Sequence, residues 1–125
     1  MDGTALRADR ADVRRTGDEH TLILSASGVH VMLIRLRYDG WVDEVIDGAG
    51  TVATWAVNAW TLIDHDLSLE LGRPAAATLG VPCDLRVRLD VDDDAIGRVR
   101  AALLEILQSA CFVVDTPEGR VTDWS

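Results

Sequence analysis

The sequence predicts an α+β domain: a mostly antiparallel sheet of about six or seven short strands, which could instead split into two sheets, with two helices packed on one face, in the order β-β-β-α-β-β-α-β-β. Three observations carry this. Residues 66–72 and 84–91 alternate apolar and polar side chains, the period of a half-buried strand. Residues 95–110 instead repeat apolar side chains every three or four positions behind Asp92-Asp93-Asp94, the period of a helix with acids at its positive end. Turn-forming pairs such as Ser27-Gly28 and Asp39-Gly40 separate the apolar runs by hairpin-length connections, which favour antiparallel neighbours.

In chain order, residues 1–18 are dominated by Ala, Arg and Asp, and only Leu6 and Val13 are larger aliphatics. They read as a loosely ordered N-terminal segment ahead of a single domain over 19–125. Residues 20–26 and 29–38 read as a strand pair. The alternation of the second slips near Leu33, as burial on both faces or a bulge would produce. Residues 41–46 add a third strand and complete a meander.

In residues 51–64, Val52, Trp55, Ala56, Ala59, Trp60 and Ile63 fall on one helical stripe, so the spacing predicts a helix; the β-branched content argues for a strand. Residues 66–72 carry Leu67, Leu69 and Leu71 on one side. The segment between Pro74 and Pro82 reads as a loop or one helical turn. Residues 84–91 form a strand burying Leu85, Val87, Leu89 and Val91. The second helix then runs on Ile96, Val99 and Leu103, and strands at 111–115 and 120–124 close the chain as a hairpin around Pro117 and Gly119.

The chain has 125 residues, 48% of them hydrophobic, which suffices for an ordinary core. The net charge is −9, and all twelve basic residues are Arg. Residues 41–125 hold six of these arginines against fifteen acids, so the whole excess lies there. That field repels phosphate backbones and argues against nucleic-acid binding. It attracts a basic protein partner. Residues 1–15 offer no apolar run for a secretory signal, and no stretch reaches the roughly twenty apolar residues of a membrane span. The expectation is a cytoplasmic protein with no membrane role. Cys83 and Cys111 each adjoin an apolar segment and read as small buried hydrophobes.

Candidate chemistry reduces to structural readings. Asp64-His65-Asp66 could orient an imidazole or hold a metal, but no second ligand stands at a matching spacing, and the triplet falls at an element boundary. Asp92-Asp93-Asp94 caps a helix. Neither cysteine has a neighbouring base, and Gly48-Ala49-Gly50 lacks the further glycines and lysine of a phosphate loop. No cofactor, metal or catalytic residue is therefore assigned, and the chain reads as non-catalytic.

Trp41, Trp55, Trp60 and Trp124 remain. On a helix Trp55 and Trp60 would diverge by about 140°, so one would face out. Exposed tryptophans beside acids suit a protein interface. The first expectation is an acidic protein-binding module, inhibitor- or immunity-like or an assembly subunit, with Trp55, Trp60, Trp124, Asp64 and Asp66 as interface. The alternative is a small-molecule-binding domain, even a minor enzyme, with a Trp-lined apolar pocket that includes His30, Met32 and Asn58. A solvent-facing Asn58 would favour the first. Either reading allows a homodimer through an exposed edge strand.

Overall fold

A computed structural model describes residues 6–108, 110–116 and 119–123. Strands β1 (Leu6–Ala8), β2 (Arg10–Arg15), β3 (Glu19–Ala26), β4 (Val29–Arg37), β5 (Val42–Asp47), β6 (Val52–Thr54), β7 (Val57–Ile63) and β8 (Asp66–Leu71) precede helix α1 (Arg73–Leu79). Strand β9 (Asp84–Leu89), helix α2 (Asp93–Ile106), β10 (Cys111–Thr116) and β11 (Gly119–Asp123) follow. The expected α+β class with two helices and mostly antiparallel pairing holds. The strands divide between two sheets, the alternative that so many short strands left open.

The first sheet is the antiparallel meander β2-β3-β4-β5-β6. Ser27 and Gly28 both take positive φ (53° and 82°), the geometry of the tight hairpin turn that joins β3 to β4. The bulge in β4 falls two residues before the expected slip: Leu24 pairs with Met32 and Ser25 with His30, so Val31 has no opposite residue, while Leu33 stays in register opposite Ile23. The second sheet has the order β1-β9-β8-β7-β10-β11, with β1-β9 and β7-β10 parallel. Helix α2 lies across β2, β3 and β4, and α1 sits against β6. The apolar faces of both sheets and of α2 meet in one core around Leu22, Leu24, Ile34, Leu67, Leu69 and Leu103.

Two readings of the sequence are corrected. Residues 51–64 are strands β6 and β7, not a helix. The chain leaves the first sheet at Trp55 (φ 53°) and enters the second, where Asn58 is bulged out between Val57 and Ala59. These two interruptions place the buried residues at Ala53, Ala56, Val57, Ala59, Trp60 and Leu62, which imitates helical spacing. Residues 6–15, read as a loose head, form β1 and β2. Strand β2 has little apolar content of its own; its six residues are held by pairing with β3, and β1 inserts Ala8 into the core. The segment after β8 is a helix of two turns, started by Pro74 and stopped by Gly80 in the left-handed conformation (φ 68°). Helix α2 begins as expected: Asp92 Oδ1 accepts a hydrogen bond from the Ala95 amide at 2.8 Å.

Candidate functional site

The C-terminal half of α2 does not seal against the first sheet. Arg98, Ala101, Ala102 and Glu105 recur at spacings of three and four, so they share one helix face. With Arg15 of β2 and His20 of β3 they line a cleft of about 310 Å³. A second hollow of about 200 Å³ shares Arg15, His20 and Glu105 and adds Tyr38, Trp41 and Gln108. A third of about 190 Å³ shares Trp41 and Gln108 and reaches Asp43 and Ile106. The three form one groove, an arginine-bearing arm and an aromatic, acidic arm joined at His20 and Glu105.

His20 shares the inward face of β3 with Leu22 and Leu24 and is 2% exposed. Its Nδ1 lies 3.2 Å from Glu105 Oε2 but is not aligned with it, and has no hydrogen-bond partner. Burial pushes the imidazole pKa below its usual value, and the Arg15 charge pushes the same way. Arg15 also holds the Glu105 carboxylate. Glu105 stays half exposed, on a flexible side chain.

At the other arm, Asp43 faces inward beside Leu36 and Val45 and is 5% exposed. Burial pushes its carboxyl pKa up; its own backbone amide opposes this, and the Glu44 charge adds to it. Trp41 lines this arm, and Trp55 begins the chain's exit from the neighbouring strand β6. Trp41 precedes Asp43 by two residues, and the Trp55 amide donates to the Asp43 carbonyl at 2.9 Å. Both tryptophans are nearly three-fifths exposed and both take positive φ, 56° and 53°. A bulky residue in that region carries strain of about 1 kcal/mol or more, and such strain gathers at functional sites. Tyr38 supports Trp41 edge-on, ring centroids 5.8 Å apart.

The residues singled out from sequence are dispersed. Trp55 is exposed, but Trp60 is 1% exposed and stacks on Phe112 at 5.4 Å, facing into the core from β7. Asp64 lies in the β7-β8 turn and Asp66 opens β8, at the far end of β7 from Trp55, roughly 20 Å away at the usual rise per residue. Asp66 accepts from Arg88 at 3.2 Å. Trp124 lies outside the described residues. Of the alternative set, His30 is exposed at a hairpin, Met32 is in the core and Asn58 faces solvent, so they form no common pocket. Cys83, read as buried, is exposed in the loop before β9, because it precedes the apolar alternation instead of joining it. Among the described residues no three His, Cys, Asp or Glu gather to hold a metal ion, and no helix is long and apolar enough to cross a membrane.

Sequence reasoning missed His20, Glu105, Arg15 and Asp43. The one local signal was Tyr38-Asp39-Gly40-Trp41, a turn with an aromatic at each end. No family model, curated protein or solved structure matches the chain.

Proposed function

We propose that this protein is a non-catalytic, acidic, cytoplasmic protein-binding module, inhibitor- or immunity-like or an assembly subunit, which docks a basic protein partner on the exposed tryptophans Trp41, at the aromatic arm of the groove, and Trp55. The observation that carries the reading is the pair of exposed, strained tryptophans on the first sheet, Trp41 lining the hollow that reaches Asp43 and Trp55 bonded through its amide to the Asp43 carbonyl. Tryptophan is the side chain most enriched at binding hot spots. An arginine or lysine laid over the exposed part of the Trp41 ring meets a π-face suited to a cation, with Asp43 in the adjoining hollow. The −9 charge steers such a partner toward the chain. Solvent-facing Asn58 supports this reading over a pocket at His30, Met32 and Asn58.

The test is affinity capture from the source lysate with the wild-type chain and a Trp41→Ala/Trp55→Ala double variant, at low and high salt. Wild type retains a stoichiometric basic protein at low salt and releases it at high salt. The double variant, with an unchanged urea midpoint, retains none. Equal retention by both chains, or no retention by wild type, overturns the reading.

A further inference from the structure

The arginine-bearing arm of the groove has a chemistry that protein docking does not use. Its volume, about 310 Å³, is at the lower end for small-molecule sites. Val13, Ala101 and Ala102 give it apolar walls. Its charged side chains are Arg15, Arg98 and Glu105, a local excess of positive charge on a strongly acidic chain. Arg98 is exposed and makes no hydrogen bond or ion pair with a described residue.

The inner end holds the stronger clue. His20 Nδ1 is buried with its hydrogen-bonding capacity unused, a rare condition that calls for a partner. Glu105 Oε2 lies 3.2 Å from it, out of line, while Arg15 grips the same carboxylate. A carboxylate thus already stands between a guanidinium and an imidazole nitrogen, on a half-exposed arm that can swing out into water.

We propose that this cleft binds a small apolar carboxylate, which displaces the Glu105 side chain. One ligand oxygen accepts from Arg15 and from His20 Nδ1–H, and Arg98 closes over the other. The hydrocarbon body lies against Val13, Ala101 and Ala102. The cleft adjoins the aromatic arm at His20 and Glu105 but uses neither Trp41 nor Trp55, and it stands or falls without them.

The probes are benzoate and butyrate, with benzamide as the uncharged analogue of benzoate, titrated calorimetrically into the full chain. Benzoate binds saturably at one site, at least tenfold tighter than benzamide. Arg98→Gln weakens it at least tenfold. Glu105→Gln tightens it, because the internal competitor has lost its charge. The Trp41→Ala/Trp55→Ala variant binds benzoate as wild type does, which separates this site from partner docking. Nitrogen NMR shows the His20 Nδ1 signal moving on saturation. No saturable binding to wild type and to Glu105→Gln, or binding that ignores Arg98→Gln, overturns the proposal.

Discussion

Glu105 Oε2 approaches His20 Nδ1 to 3.2 Å without forming a hydrogen bond, so the carboxylate does not hold a proton on the imidazole. Burial and Arg15 instead favour the neutral ring and place its folded pKa below the usual 6.5. In the unfolded chain the ring takes up a proton first. The stability that a neutral His20 contributes is therefore complete above about pH 6.5 and is lost as pH falls through the window beneath. Urea unfolding followed from pH 8 to pH 5 shows the wild-type midpoint dropping more than that of His20→Gln. Parallel curves for the two chains would refute a neutral, buried His20.

Asp43 works with the opposite sign. Its folded pKa is raised above 3.8, so the folded state holds its proton longer than the unfolded chain does. Stability from this group is present at low pH and declines as pH rises through the window above 3.8. At pH 7 the carboxylate is a liability that Asn lacks. Asp43→Asn raises stability at pH 7 by on the order of 1 kcal/mol, the scale of a poorly partnered buried polar group, and the gain fades toward pH 4. The same variant weakens capture of a basic partner. A urea midpoint at pH 7 that drops in Asp43→Asn would contradict this account.

The parts of the fold legible in the sequence were those whose pattern is local. Leu67, Leu69 and Leu71 and then Leu85, Val87 and Leu89 alternate because each strand has one face on the core. Asp92 announced the start of α2 because a cap acts within one turn. Strands β6 and β7 were misread because the crossing at Trp55 and the bulge at Asn58 broke a period of two into apparent threes and fours. Strand β2 was misread because its stability resides in its ladder with β3, not in its own side chains. The site was illegible for a related reason. Arg15 and Glu105 are 90 positions apart, and only the packing of α2 on the first sheet brings them together.

Trp60 tests the second sheet's share of the core. It is 1% exposed, stacks on Phe112, and its indole N–H has no hydrogen-bond partner. Trp60→Ala leaves a cavity and costs about 3–5 kcal/mol, read as a lower urea midpoint. Trp41→Ala, whose side chain is mostly in solvent, costs far less; Ala keeps the Cβ, so the strain at positive φ is unchanged. Similar losses in the two variants would mean that Trp41 is held as firmly as the core residue.

On the outer face of the first sheet, Arg35 Nε and Nη2 both donate to Glu44 Oε1, at 2.8 and 2.5 Å, and the Glu44 side chain is only 5% exposed. The two residues are opposite each other on β4 and β5, so the pleat aims both side chains to one side. Such a pair contributes little net stability, because desolvation of the carboxylate offsets the attraction. Removing one member is different, since it strands a buried charge. Arg35→Ala costs about 3 kcal/mol, whereas Arg35→Met/Glu44→Leu, which removes both charges and keeps apolar bulk, costs far less than the sum of its single substitutions. A double-mutant cycle in urea separates these terms. An Arg35→Ala loss below about 0.5 kcal/mol, the level of a solvent-screened surface pair, would show that Glu44 reaches water without its partner.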